Sequence, residues 1–133
     1  MTKADILRIE DDFVKAAVRA KKAGFDGVEL HGAHFYLLSE FLSPLYNHRT
    51  DEYGGSDENR ARFLMEIISK VREKVGKEYI VGLKINSEDA DQNGISEEGF
   101  MKICQMAEDA GVDYIQISGI RWVKERIDNP TNK

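Results

Sequence analysis

A turn that the chain uses twice is the tightest constraint on its fold. Ala23-Gly24-Phe25-Asp26 and Ala110-Gly111-Val112-Asp113 each join an amphipathic stretch to a short β-type run. Glycine ends a helix because it enters the left-handed backbone region without a Cβ clash, and an apolar residue after it can pack back on the last turn. Helix, glycine turn and strand thus form one unit. Units of this kind in series build a parallel α/β sheet, because each strand must return to the same edge before the next begins.

Three units can be traced. Thr2 and Asp5 have capping-box-like spacing, and Ile6, Ile9, Phe13, Ala16, Ala17 and Ala20 recur at helical steps up to Gly24. Phe25 to His31 follows as a strand containing Val28 and Leu30. Ser56, with Asp57 and Glu58 in the first turn, opens a second helix through Leu64, Ile67, Ile68 and Val71 to about Gly76, and Tyr79 to Ile85 is its strand. The third helix starts after Ser96, carries Phe100, Ile103 and Ala107, ends at Gly111 and leads into a strand over Val112 to Ser118. With 133 residues there is material for one core, so residues 1–133 are read as a single domain.

Both the closed eight-stranded barrel and the open doubly wound sheet are built this way. Alternation along the strands separates them. If Val28, Leu30, Val81, Leu83, Ile85, Ile115 and Ile117 face the helices, the other, polar and partly small face carries Gly27, Glu29, His31, Ile80, Gly82, Lys84, Tyr114, Gln116 and Ser118. A second helix layer would need that face apolar, whereas a barrel with a ligand at its mouth can use polar side chains inside. The expected fold is therefore α/β, a partial TIM barrel of about three helix-strand units with parallel strands.

The formal charge of -5 and a pI near 5.2 argue against nucleic acid or an anionic membrane as a partner. No apolar run approaches the length of a membrane span, and Lys3, Asp5 and Glu10 break up any secretory leader. A cytoplasmic setting is expected. The lone cysteine, Cys104, falls on a helical apolar stripe and reads as a small core residue.

His31, Lys84 and Ser118 each close a strand at its carboxyl end, the edge where parallel α/β proteins place their ligands. The connection from Gly32 to Gly55 is long for a compact domain. Its Phe35, Tyr36, Leu37, Leu38, Phe41 and Leu42 are spaced like a short helix, which marks it as ordered. A metal site at His31, His34 and Glu29 is the rival reading, but alternation puts Glu29 one layer below His31 and no further ligand cluster completes the shell. Tyr53-Gly54-Gly55 reads as a turn before a helix cap. Arg49, Asp51 and Arg60 read as a buried structural ion network.

The run from Ala23 through Gly32-Ala33-His34, with Tyr36-Leu37-Leu38, Phe41-Leu42-Ser43-Pro44, Asn47, Arg49 through Ser56 and Glu58-Asn59-Arg60, resembles the signature of the old yellow enzyme family of NADH:flavin oxidoreductases. Similarity continues through Gly82-Leu83-Lys84-Ile85-Asn86 and Gly111-Val112-Asp113 to Ser118-Gly119. The resemblance implies the central part of an FMN-binding barrel, with NAD(P)H as reductant and an activated alkene or other small electrophile as substrate. On the same basis His31 and His34 match the pair that hydrogen-bonds a substrate oxygen, and imidazole N–H donors suit developing enolate charge. Tyr36 matches the proton donor; a phenol keeps its proton at neutral pH and can deliver it. Lys84 matches a basic position at the flavin pyrimidine edge, and Ser118 is placed near the cofactor; no metal is implied.

Two departures stand out. Phe35 occupies a place where the family commonly has glycine, and Ile120 follows Ser118-Gly119 where relatives often have another. The early strands beside the flavin and the late ones that hold its phosphate have no counterpart here. The sequence therefore reads as an enoate-reductase-type flavin oxidoreductase present as a central fragment. The alternative is a catalytically inactive α/β piece that self-associates as a packing module. In either reading the open strand edges and polar inner face favour a homo-oligomer.

Overall fold

The computed structural model describes residues 1–89 and 91–119. In chain order these form α1 (Lys3–Lys22), β1 (Gly27–Gly32), α2 (Leu37–Leu42), α3 (Asp57–Val75), β2 (Ile80–Asn86), α4 (Glu97–Ala110) and β3 (Tyr114–Ser118). The three strands lie in the order β1-β2-β3, all parallel. Phe35 and Tyr36 stand outside α2, which begins at Leu37 with Tyr36 as its N-cap. Ile120 lies outside the described residues.

The helix starts follow from local chemistry. Thr2 and Asp5 make both bonds of a capping box, while Ser56 and Ser96 accept from the backbone N–H groups of Asn59 and Gly99. The repeated turn has one geometry. Gly24 and Gly111 take φ 88° and 108°, and the apolar residue after each donates its N–H five residues back, Phe25 to Ala20 and Val112 to Ala107, both at 3.2 Å. The aspartate that follows ties the next strand to its neighbour. Asp26 accepts from the Ile80 N–H at 3.2 Å, and the Asp113 carboxylate accepts from the Val81 N–H at 2.7 Å and from Arg72 at 2.6 Å.

Leu30, Val81, Leu83 and Ile85 are buried on the helix side against Phe63, Leu64, Ile67, Ile68 and Val71 of α3. α3 is the central helix, touching α1, α2 and α4. Each such side chain contributes roughly 1.5–3 kcal/mol by leaving water. On the opposite side Glu29, His31, Tyr114 and Gln116 are exposed and Lys84 is half-buried. This is the division that strand alternation requires, with one difference. Ile117 has the parity of the helix side but is 61% exposed, because β3 is an edge strand and none of the described residues packs over that end of it.

A buried carboxylate interrupts the apolar pattern between α1 and α3. Glu10 of α1 is fully buried and accepts from Lys70 of α3 at 2.5 Å. Its burial, offset by Lys70 and reinforced by Glu66, raises the carboxyl pKa above the usual range.

Candidate active site

The site grows from the carboxyl ends of the three strands. His31 is the penultimate residue of β1, in register with Lys84 of β2, which is in register with Gln116 of β3. One step further along, Asn86 is the register partner of Ser118. All five side chains belong to one pair of adjacent rows at the ligand edge.

Below them the layer is closed. The Tyr114 hydroxyl donates to Glu29 at 3.1 Å, and the Gln116 amide, oriented to donate, reaches the same carboxylate at 2.9 and 3.2 Å. The Tyr114 ring covers Gly82, where an added Cβ would stand 2.1 Å from the ring. Glycine is required there for that close approach. A ligand therefore belongs above this layer, at the level of His31 and Lys84. Glu29 is committed to β3 and not to the histidines.

After Gly32 the chain turns sharply. His34 and Phe35 have φ 62° and 59°, a consecutive left-handed pair without glycine, at a cost of roughly 1–2 kcal/mol each. The surroundings hold the pair in place. The His34 N–H donates to Asn86 Oδ1 at 3.1 Å, and Asn86 Nδ2 donates to Ser39 Oγ at 3.2 Å. His34 Nε2 lies 2.6 Å from Ser118 Oγ. The Phe35 ring packs on Tyr46 with centroids 5.4 Å apart.

The result is a cluster of three rings. His31 lies 5.2 Å from His34 and 5.3 Å from Tyr36, centroid to centroid. Burial, helped by the nearby His31 and Lys84, lowers the pKa of His34 below the usual imidazole range. At neutral pH it is thus a neutral ring with one N–H to give. Tyr36 is 64% exposed and has no capping bond to α2, so its hydroxyl is accessible. The residues singled out in the sequence therefore meet at one edge: His31, His34 and Tyr36 as a cluster, Lys84 beside His31, and Ser118 on His34.

Asn86 and Ser39 went unassigned in the sequence, although both are buried and connect the histidine turn to β2 and α2. The available signal was parity, since Asn86 shares the row of Lys84 and an amide is uncommon inside a strand. The expected ion network resolves into two separate pairs. Arg49 chelates Asp51 at 2.9 and 2.6 Å, which holds the Asp51 carboxyl down at about 2. Arg60 binds Asp57 and the carbonyls of Leu42 and Gly55. Arginine's fan of donors lets each clamp a different part of the loop. Asn47 completes it, donating to the carbonyls of Phe41 and Tyr53 at 2.7 Å each.

The Lys84 ammonium, in register with His31, is the donor at this edge that suits a carbonyl of a flavin ring, whereas the Gln116 amide is engaged by Glu29 and the Ser118 hydroxyl, expected near the cofactor, by His34.

Comparisons with known proteins bear on the family and the fold. An NADPH dehydrogenase of Bacillus pumilus is 48% identical over 115 residues, covering 86% of this chain and 33% of that protein. An NADH oxidase of Thermoanaerobacter brockii is 45% identical over 118 residues, covering 89% of this chain and 18% of that protein. Among solved structures, an old yellow enzyme homologue from Zymomonas mobilis matches with a TM-score of 0.80 at 34% identity, over 90% of this chain and 34% of its own. A 2-naphthoyl-CoA reductase in complex with 2-naphthoyl-CoA matches with a TM-score of 0.85 at 38% identity, over 90% of this chain and 18% of its own. The chain thus spans about a fifth to a third of these relatives, and its three parallel strands correspond to part of their TIM barrel. Residues 1–133 match the family profile throughout, and the chain belongs to the NADH:flavin oxidoreductase / NADH oxidase family.

Proposed function

We propose that this chain carries the substrate-facing part of an FMN-dependent NAD(P)H oxidoreductase of the enoate-reductase type. The observation behind this is the cluster of His31, His34 and Tyr36 at the carboxyl end of β1, with rings 5.2–5.3 Å apart above a closed side-chain layer. FMN, when bound, supplies hydride chemistry. The chain's own residues supply orientation and proton transfer. His31 and the neutral His34 donate hydrogen bonds to the oxygen of an electron-poor alkene, and they favour the enolate-like charge that builds there. Tyr36 delivers a proton to the α-carbon from its exposed hydroxyl. Lys84 offers a positive charge to the ring edge of the cofactor, which favours added negative charge on it.

Grafting tests this. Residues 1–133 replace the matching span of the NADPH dehydrogenase of Geobacillus sp. strain WCH70, which is 48% identical over 127 residues. The expected chimera retains FMN through gel filtration and couples NADPH oxidation to reduction of an activated alkene. A folded, flavin-loaded chimera that consumes NADPH but leaves every alkene untouched overturns the reading.

A further inference from the structure

Three units of the fold converge on one residue, His34. His34 sits in the turn after β1, its N–H bound by Asn86 at the end of β2, its ring bound by Ser118 at the end of β3. Asn86 and Ser118 are themselves register partners, so their spacing is set by the sheet and not by side-chain rotation. The strand ends are joined further by the Ser87 N–H donating to the Ser118 carbonyl at 3.4 Å.

A neutral imidazole has one donor and one acceptor nitrogen, and the partner of one nitrogen decides what the other can do. Nε2 is occupied by the Ser118 hydroxyl at 2.6 Å. Nδ1 has no partner among the described residues and is not a buried orphan. A serine hydroxyl has one proton, so while it donates to the ring it has none to offer a cofactor. We infer that Ser118 is a positioning residue for His34: its hydroxyl donates to Nε2, fixing the proton on Nδ1 and making Nδ1–H the donor offered to a substrate oxygen. Asn86 is its companion. By holding the His34 N–H it keeps the turn in its left-handed conformation, so that the ring can reach Ser118.

The assignment rests on the proposed enoate-reductase reading for the substrate, but not for the tautomer, and the two are tested separately. The tautomer is read in this chain by long-range nitrogen-proton NMR of the His34 imidazole at neutral pH. The wild type is expected with Nδ1 protonated and Nε2 as the acceptor. Ser118→Ala removes the donor and shifts the population toward the Nε2–H form, whereas Ser118→Thr keeps the hydroxyl and restores the wild-type pattern. Asn86→Ala leaves Ser118 in place but loosens the turn, so faster exchange of the His34 amide and mixed tautomers are expected. A wild type already in the Nε2–H form, or a Ser118→Ala spectrum unchanged at His34, overturns the inference. Circular dichroism of each variant identifies any loss of fold, and the Ser118→Thr spectrum then carries the decision. In the grafted chimera Ser118→Ala should lower kcat for alkene reduction more than it changes KM. If the tautomer shifts as stated while no chimera reduces an alkene, the function fails and the positioning role stands.

Discussion

The two faces of the sheet are made by the same strands and do opposite work. In β2, Val81, Leu83 and Ile85 are at most 1% exposed and packed under α3, whereas Gly82, Lys84 and Asn86 point to the side that holds Tyr114, Gln116 and the histidine turn. The first row gains stability from the burial of its side chains. The second spends conformational freedom and strain, in the left-handed His34 and Phe35, to hold donors at fixed places. Stability and chemistry can therefore be changed almost independently in one strand, provided the substitution respects the alternation.

The largest effect expected from that division is in the core. Leu83→Ala should lower unfolding free energy by about 2–5 kcal/mol in urea titration, since it opens a cavity in a dry layer. Gln116→Ala, one strand over and on the exposed face, should cost about 0.5–1 kcal/mol at most. Comparable losses for the two would break the comparison. The next effect is chemical. Tyr36→Phe in the grafted chimera should slow alkene reduction by about a hundredfold or more while flavin reduction by NADPH stays near wild type. Because Tyr36 is 64% exposed, the melting temperature should not move. Equal loss of both half-reactions would remove the proton-donor role.

How much of this was legible beforehand follows from the kind of signal each part leaves. The glycine turns and the apolar period are local, so the three units, their parallel order and the division of faces could be read directly. The positions of His31 and Lys84 at the strand ends followed from the same alternation, and the family resemblance supplied their proposed roles. Nothing local indicates that His34 and Phe35 turn left-handed, because neither is glycine and the cause lies in Asn86, Ser118 and Tyr46, far along the chain. The division of Arg49 and Arg60 into separate pairs was also hidden, since it depends on which carbonyls come within reach, Met1 for Arg49 and Leu42 for Arg60. Ile117 shows the limit of alternation: parity gives direction, while burial needs a neighbour.

Gly82 tests the comparison at a position where the polar face, too, depends on packing. Gly82→Ala places a methyl in the Tyr114 ring, whose outer end can swing into solvent because the side chain is 44% exposed. The cost should be about 1 kcal/mol, mostly the lost contact between Tyr114 and Glu29. In the Tyr114→Ala background the same alanine should cost much less, and a double-mutant cycle measures the difference. Additive losses would mean that the ring and Gly82 are not coupled and that the lower layer is looser than it looks.

The smallest effect is a change of slope at Glu10, a charge buried between α1 and α3. Glu10 is fully buried with one oxygen, Oε1, unpartnered, and burial lifts its pKa above 4.5 in the folded chain. A carboxyl whose folded pKa is raised binds its proton more tightly when folded, so its contribution is most favourable below the unfolded pKa and is lost as pH rises through the folded one. Lys70 works against that loss by pairing with Oε2 and is 39% exposed, so it can return to water if its partner is removed. Glu10→Gln keeps the shape and a hydrogen-bonding oxygen for Lys70 but removes the titration. Stability of the two proteins should therefore diverge with pH, the glutamine variant gaining on the wild type as pH climbs from 4.5 toward neutrality. Urea unfolding at a series of pH values reads this directly. A difference that stays constant across the range would show that Glu10 does not titrate there, and a wild type that gains on the variant with rising pH would mean that the attraction of Lys70 outweighs burial.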